Sequence, residues 1–250
     1  MMLEVLYPEL CNLFGDAMNA EYLRRALPEP EVVKTPLKTR PVFADSQPDL
    51  VYLGSMTESG QSLAAAALTP YRERIQELID SGTVFLVTGN ALELFGTHIE
   101  NEDGSRVDAL GLFGFHAKRR MMRRYNSIYL GTFETGDQTL DIVGFKSQFS
   151  HSYSEETVSR EETDDSLPPL FRTVRGAGRK PRQWQEGVRV NNFIGTYVLG
   201  PLLILNPPFA RYLLGLLGAG DREPPYEQAA LAAYQARLKE FRDPKTGEEY

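Results

Sequence analysis

The sequence predicts an α/β protein: a three-layer sandwich with a mostly parallel, flavodoxin-like central sheet that antiparallel strands extend. Short apolar runs begin at Leu3, Leu50 and Thr83, and a segment with helical spacing of apolar residues follows each of them. Continuous apolar runs of this length are typical of strands that are buried on both faces of a parallel sheet. Strands that alternate with helices in this way predict a doubly wound arrangement.

Composition places the chain among ordinary globular proteins: 250 residues, 42% hydrophobic and 24% charged. A net charge of −7 argues against nucleic acid or an anionic membrane as a general partner. No basic segment precedes an apolar run at the amino terminus, and the apolar run at residues 209–217 is too short to span a bilayer. We therefore expect a cytoplasmic protein without membrane insertion.

Cysteine and histidine are scarce. Cys11 is the one cysteine, and His98, His116 and His151 are widely spaced. A single cysteine cannot form an internal disulfide, and this spacing does not match a zinc signature. We expect neither a metal nor another cofactor.

The first strand–helix unit occupies residues 3–27. Residues 3–7 are predicted to form a strand and residues 8–15 a loop, and Asp16 has the right chemistry to cap a helix that ends near Leu27. A short strand at Val32 and Val33 follows the two prolines that end this helix.

The second unit begins with a predicted strand at residues 50–53. Small residues fill the stretch 54–60 directly after it, and a loop of this kind leaves backbone N–H groups free to face a ligand, although a plain flexible loop is the simpler interpretation. Thr69 and Pro70 are typical of a helix start. The inner face of that helix is predicted to be formed by Ile75, Leu78 and Ile79.

The third unit is the centre of the chain. A strand at residues 83–87 stops at Thr88-Gly89-Asn90, and helical spacing resumes at Ala91. A turn between the carboxyl end of a strand and a helix is where open α/β sheets place ligands, and it can also form a nucleophile elbow. Here the residue at the apex is Gly89, which has no side chain. Judged on this stretch alone, a strain-relieving glycine in an ordinary turn is the favoured interpretation.

After the third unit, the sequence no longer alternates regularly between strand and helix patterns. Residues 128–133 and 140–145 alternate in polarity around Gly136, which predicts an antiparallel hairpin that extends the sheet. Residues 152–165 are rich in Ser, Thr and Glu and predict a mobile loop. A late strand at residues 191–201 is followed by a helix that Pro207 opens.

Residues 118–124 form the one dense basic cluster in this acidic sequence. A solvated face is the simplest explanation, but Arg120, Arg123 and Arg124 could also bind phosphate or the acidic surface of a partner.

The carboxyl-terminal segment from Tyr226 to Phe241 has an apolar stripe that includes Leu231, Tyr234 and Leu238. Such a helix either covers the sheet or binds a partner, and self-association is a further option. We therefore divide the chain into a main domain, residues 1–218, and a carboxyl-terminal helical segment, residues 219–250.

Four stretches occur in an order that resembles a known family: residues 6–16 (LYPELCNLFGD), 52–61 (YLGSMTESGQ), the turn at Gly89, and 195–201 (GTYVLGP). They resemble the class I glutamine amidotransferases of the cobyric acid synthase type, and most closely the GatD-type glutaminase subunits of lipid II isoglutaminyl synthase. Those subunits supply ammonia to a Mur ligase-like partner of the MurT type. The resemblance extends over about residues 3–217.

In this family a cysteine at the elbow attacks the glutamine amide, a histidine on a later strand transfers the proton, and backbone N–H groups hold the oxyanion. The resemblance places Gly89 at the nucleophile position and Leu199 at the histidine position. Among nearby residues, only Thr88 and His151 have suitable chemistry to replace them, and the strand turns Thr88 away from the apex. The residues that would form the altered pocket are Gly54, Ser55, Gly89, Asn90, Glu93 and Leu199.

These substitutions predict a catalytically inactive amidotransferase-like subunit that binds or regulates a Mur ligase-like amidating enzyme in cell-wall (lipid II) metabolism. Loss of both polar groups makes the pocket less suited to hydrolysis or to recognition of a zwitterion. Two alternatives remain open: an enzyme with altered chemistry that uses the same pocket, and a small-molecule sensor.

Overall fold

The computed structural model describes residues 1–154 and 167–247. Its helices are α1 (Met18–Ala26), α2 (Glu58–Leu68), α3 (Arg72–Asp80), α4 (Leu202–Leu205), α5 (Pro207–Leu216) and α6 (Glu227–Arg242). Its strands are β1 (Met2–Leu6), β2 (Glu31–Thr35), β3 (Leu50–Leu53), β4 (Val84–Thr88), β5 (His98–Glu100), β6 (Arg106–Asp108), β7 (Phe115–Arg119), β8 (Tyr125–Glu134), β9 (Thr139–Gln148), β10 (Ser150–Ser154), β11 (Phe171–Arg175), β12 (Gln185–Glu186), β13 (Val188–Val190) and β14 (Phe193–Thr196).

The central sheet contains six strands in the order β13-β14-β4-β3-β1-β2. The five strands from β14 to β2 are parallel, and β13 adds an antiparallel edge strand. The parallel part has the flavodoxin-like order, in which the chain changes direction between β1 and β3. The predicted fold class is therefore confirmed, with the strand after residue 83 well inside the sheet.

Side chains of β4 show how the layers form. Phe85 and Val87 point into an apolar cluster with α2 and α3, whereas Val84 and Leu86 point into a second cluster with α1 and α5. Because successive side chains on a strand point to opposite faces, one run of four apolar residues supplies both cores. All four of these side chains are buried.

The predicted hairpin forms, but it does not join the central sheet. Strands β8 and β9 pair antiparallel in register from Tyr125–Gln148 to Glu134–Thr139 and form a separate sheet in the order β12-β11-β8-β9. One isolated bridge, between Phe145 and Leu199, connects this sheet to the segment after β14. The antiparallel extension of the central sheet comes from β13 instead.

Helix α6 lies on the β8–β9 sheet. Its Tyr234, Leu238 and Phe241 join a small apolar cluster with residues of both strands, and the Tyr234 hydroxyl donates to the Asp141 carbonyl at 2.8 Å. The remaining stripe residue, Leu231, is half-buried. The helix thus contacts the rest of the chain, while the division of domains at residue 218 stays a prediction.

Two predictions for the segment between β3 and α3 need correction: the length of a loop and the start of a helix. The predicted loop at residues 54–60 is short, because Thr57 caps α2 by accepting a hydrogen bond from the Gly60 N–H at 3.1 Å. Thr69 and Pro70 lie in a 3₁₀ turn, and α3 begins only at Arg72. The small residues of α2 pack closely but give no strong apolar periodicity, and for this reason the sequence analysis did not predict the helix.

The segment after the central strand is helical, but Gly89–Phe95 forms a 3₁₀ helix rather than an α-helix. Of the predicted mobile loop at residues 152–165, the first three residues complete β10, and the others lie outside the described residues. Within residues 1–154 and 167–247, no helix is long and apolar enough to cross a membrane.

Candidate functional site

The carboxyl ends of the parallel strands meet at one edge of the sheet, next to the change of direction between β1 and β3. A cavity of about 250 Å³ lies there. The loop after β1 contributes Leu13 and Phe14 to its wall, and the segment from Ser147 to Ser150 lines it as well. Residues remote in sequence therefore build one pocket.

Of the predicted pocket residues, four line this cavity and two do not. Ser55, Gly89, Asn90 and Leu199 contribute to its wall. Gly54 instead packs between the Tyr52 hydroxyl and the Cys11 carbonyl, where a Cβ atom would approach each within 3 Å. Glu93 is buried behind the wall.

Gly89 has the backbone of an elbow but no room for a side chain. Its φ of +64° lies in the left-handed region, which glycine adopts without strain. A Cβ atom at this position would lie 2.5 Å from the Cβ of Ser55 and 3.3 Å from Cδ2 of Leu199. The first distance is far below van der Waals contact, so Ser55 fills the space that a nucleophile at the apex would need.

Leu199 is held by its backbone on the other side of the apex. It exchanges two hydrogen bonds with Phe145: the Leu199 N–H donates at 2.9 Å, and the Phe145 N–H donates back at 3.2 Å. The side chain is 2% exposed and wholly apolar. It offers no proton acceptor to a group at Gly89.

Asn90 engages the backbone of the loop opposite. Its Oδ1 accepts from the Met56 N–H at 3.0 Å, and its Nδ2 donates to the Met56 carbonyl at 2.8 Å. A backbone N–H in this loop is therefore already satisfied by a side chain of the same chain. It is not free to hold a developing oxyanion.

Asp16 is a site residue that the sequence analysis assigned wrongly. It does not cap α1, which has Ala17 at its N-cap; instead it is buried beneath the cavity. Its Oδ2 accepts from the Ser55 N–H at 3.0 Å and from the Thr88 hydroxyl at 2.5 Å, and its Oδ1 accepts from Asn19. Burial raises the pKa of this carboxyl, against the opposing effect of its hydrogen bonds. The feature of the sequence that could have indicated this role is the position of Asp16, an acidic residue at the end of the loop after β1.

Glu93 forms the centre of a second buried network. Its carboxylate accepts from the hydroxyls of Ser150 and Tyr197 and, at 2.8 Å, from Nε2 of Gln61. Gln61 in turn accepts from a guanidinium N–H of Arg119 at 2.5 Å. Desolvation raises the pKa of Glu93 despite these donors. Because Ser150 lines the cavity, this network reaches the pocket wall.

A buried ion pair between Lys146 and Glu186 anchors the segment that carries Leu199. Both side chains are fully buried, and the ammonium also donates to the Gly178 carbonyl at 2.6 Å. Oε1 of Glu186 accepts from the Thr196 hydroxyl and from the Tyr197 N–H, each at 2.8 Å. Burial lowers the pKa of Lys146, opposed by the nearby carboxylate. The sequence analysis did not single out this pair.

The candidates for a replacement nucleophile lie elsewhere. The Thr88 hydroxyl points to Asp16 and is fully buried, as the strand geometry predicted. His151 does not line the cavity; it lies in a neighbouring groove. Cys11 is buried, and desolvation raises the pKa of its thiol to about 12, so it carries no thiolate near neutral pH.

The predicted basic residues lie beside the cavity. Arg124 lines it, with its guanidinium 4.9 Å from the ring centre of Phe149 and 5.8 Å from that of Phe14. Arg120 and Arg123 line the adjoining groove. Among the described residues, no cluster of His, Cys, Asp and Glu side chains could hold a metal ion.

Comparison with known proteins agrees with this geometry. Residues 3–206 match the CobB/CobQ-like glutamine amidotransferase domain. The chain is 24% identical over 213 residues to the GatD subunit of lipid II isoglutaminyl synthase (glutamine-hydrolyzing) from Streptococcus pneumoniae, which covers 84% of this chain and 77% of that protein. It is also 24% identical over 166 residues to the GatD subunit from Staphylococcus aureus, covering 66% of this chain and 62% of the relative.

Solved structures share the fold. One glutamine amidotransferase crystal structure covers 86% of this chain and 98% of its own, with a TM-score of 0.53 at 14% identity. A second, from Thermotoga maritima, covers 95% of this chain and 97% of its own, with a TM-score of 0.51 at 10% identity. Together, the match over residues 3–206 and the pocket at the carboxyl edge of a flavodoxin-like sheet identify the chain as a member of the CobB/CobQ-like glutamine amidotransferase family.

Proposed function

We propose that this protein is a catalytically inactive, GatD-like amidotransferase subunit that binds or regulates a Mur ligase-like amidating enzyme of lipid II metabolism. The single observation that carries the proposal is the closed apex at Gly89. In the alignment that the motifs suggest, this glycine stands at the nucleophile position, and a Cβ atom there would lie 2.5 Å from Ser55.

Three further features support loss of glutamine hydrolysis. Leu199, which the motif resemblance places at the catalytic-base position, is apolar and lines the pocket; the side chain of Asn90 binds a backbone N–H of the loop opposite; and Cys11 is buried and does not line the pocket. Removal of one member of a coupled nucleophile–base pair can cost about 10⁶ in turnover. With both positions substituted, we expect no useful supply of ammonia from this chain.

The partner is proposed from the relatives. Both curated relatives are named as subunits of a lipid II isoglutaminyl synthase. We infer that an inactive subunit with the same fold keeps the assembly role of these relatives. The test is co-expression with a Mur ligase-like protein of the MurT type, followed by size-exclusion chromatography and calorimetric titration.

The expected result is a stoichiometric complex that survives gel filtration. The control is a Mur ligase of cell-wall precursor synthesis from the same cells, which has no amidating role. It should not form a complex with this protein. Equal affinity for both ligases, or for neither, would contradict the proposal.

One observation favours a second candidate, an enzyme with altered chemistry. The Ser150 hydroxyl lines the cavity and donates to the buried carboxylate of Glu93, a pairing of hydroxyl and base that nucleophilic catalysis can use. A fluorophosphonate probe distinguishes the two: labelling of wild type that Ser150→Ala abolishes would support the second candidate, and absence of labelling supports the inactive subunit.

A further inference from the structure

A groove of about 610 Å³ lies next to the cavity, and it gathers positive charge. Arg120, Arg123 and Arg124 line it, together with Tyr125 and the half-buried His151. Arg124 belongs to both the groove and the cavity wall, so the two spaces adjoin. Glu102 is the one carboxylate among the lining residues that the structure describes.

The arginines of this groove differ from several exposed arginines elsewhere on the surface. Exposed arginines on α1 and α6 form ion pairs: Arg24 and Arg25 with Glu21, and Arg242 with Asp141, all at 2.7 Å. Within the part of the chain that the structure describes, the side chains of Arg120, Arg123 and Arg124 form no ion pair. In a chain of net charge −7, three adjacent guanidiniums thus stand without an ion-pair partner among the described residues, with Glu102 as the one described carboxylate in the groove.

The backbone and two aromatic rings hold these arginines in place. The Arg120 N–H donates to the Phe149 carbonyl at 2.6 Å, and the Arg123 N–H donates to the Arg120 carbonyl at 2.9 Å, which closes a turn. Arg124 lies over the ring of Phe149. Three like charges held close together repel one another, and a bound anion would relieve that repulsion.

We propose that this groove is a binding site for a phosphoryl group. A phosphate monoester carries about two negative charges and diphosphate carries more; both offer several acceptor oxygens, whose geometry guanidinium groups match with paired N–H donors. A carboxylate, with two oxygens and one charge, is satisfied by a single arginine and does not account for three. The site lies beyond the proposed partner function and does not depend on it.

The experiment is calorimetric titration of the full chain with inorganic diphosphate at low salt, repeated with Arg120→Ala/Arg123→Ala. Wild type is expected to bind one diphosphate, with an affinity that falls as salt rises. The double variant is expected to lose about tenfold or more in affinity, because each lost contact is a hydrogen bond between charged groups. Both side chains are exposed and their mutual repulsion is relieved in the variant, so its thermal unfolding temperature without ligand should not fall below that of wild type.

The matched control is Arg24→Ala/Arg25→Ala, which removes the same charge from α1. It should bind diphosphate as wild type does, within about twofold. Arg120→Lys/Arg123→Lys keeps the charge but loses the planar donors, so its affinity should lie between those of wild type and the alanine variant.

A second arm identifies the source of the phosphoryl group. Flotation with vesicles that contain phosphatidic acid tests a lipid headgroup, and soluble diphosphate competes if both use the groove. Binding to either probe that depends on Arg120 and Arg123 supports the site. The proposal is overturned if neither probe binds, or if the α1 control loses as much affinity as the groove variant.

Discussion

Asn90 and Met56 face each other across the mouth of the pocket and exchange two hydrogen bonds, one from the Met56 N–H at 3.0 Å and one from the Asn90 amide at 2.8 Å. The residue directly after the apex is thereby tied to the loop that follows β3. Together with the approach of Ser55 to Gly89, this pairing closes the elbow from one side. The consequences of the closure can be measured.

Gly89→Ala should destabilise the protein by about 2–4 kcal/mol, because it adds both the strain of a left-handed residue and a clash with Ser55. Gly111→Ala is the matched control. Gly111 has nearly the same φ, +63°, but a Cβ atom there would meet nothing within 4 Å, so about 1 kcal/mol is expected. Urea unfolding measures both, and equal losses would show that Ser55 does not fill the apex.

Ammonia release from glutamine should be absent in wild type and in Gly89→Cys/Leu199→His. The restored pair still meets Ser55, whereas adding Ser55→Gly leaves only its Cα, 3.2 Å from the new Cβ atom. Measurable hydrolysis is therefore expected in the triple variant alone, with Gly89→Ser in place of Gly89→Cys as its control. Wild-type turnover of about 1 s⁻¹ or more, surviving stringent purification, would refute the inactive-subunit proposal.

Lys146→Met should cost about 3–5 kcal/mol in unfolding free energy, since it leaves the carboxylate of Glu186 buried without its partner. Lys146→Met combined with Glu186→Gln should recover part of that loss, because the uncompensated charge is gone. Arg242→Met, at the exposed pair with Asp141, should have a far smaller effect. A double variant no more stable than Lys146→Met would argue against charge burial as the cause.

Protonation of His151 should destabilise the fold. Burial, followed by the nearby Lys146 charge, lowers its pKa from 6.5 to about 4, and its Nδ1 lies 3.1 Å from Nε2 of Gln148. Between these two values the unfolded chain binds more protons than the folded chain does. The contribution of neutral His151 to the free energy of unfolding is therefore fully present above pH 6.5. It falls by about 3 kcal/mol as the pH drops from 6.5 through 4.

The measurement for His151 is unfolding free energy against pH for wild type and His151→Gln. Burial raises the pKa of Asp16 and Glu93, which act in the opposite direction but are present in both proteins. The difference between the two curves thus isolates His151. Parallel curves from pH 7 to 4 would mean that His151 titrates normally in the folded state.

Much of the fold followed from local patterns. Residues 50–53 form the predicted strand, the central strand is shifted by one residue to Val84–Thr88, and α5 begins at Pro207 as predicted. Continuous apolar runs and proline positions report burial and backbone geometry of the segment that contains them, so they can be interpreted without the partner strands. The turn at Gly89 was visible for the same reason, whereas the expected departures of Gly89 and Leu199 from the family motifs rest on the resemblance alone.

Tertiary structure alone decided how these elements close the pocket. Asp16 accepts a hydrogen bond from the Thr88 hydroxyl, 72 residues away in the sequence, and Lys146 forms an ion pair with Glu186, 40 residues away. The β8–β9 hairpin belongs to a sheet separate from the central one. An aspartate that caps a helix and an aspartate that accepts hydrogen bonds in the interior look the same in the sequence. Likewise, the alternating pattern of a hairpin does not show whether it joins the central sheet or forms a sheet of its own. The sequence by itself determined the parallel core and the glycine at the apex; the contact of Ser55 with that glycine arose only when packing brought the ends of β3 and β4 together, because side-chain space depends on neighbours that are distant along the chain.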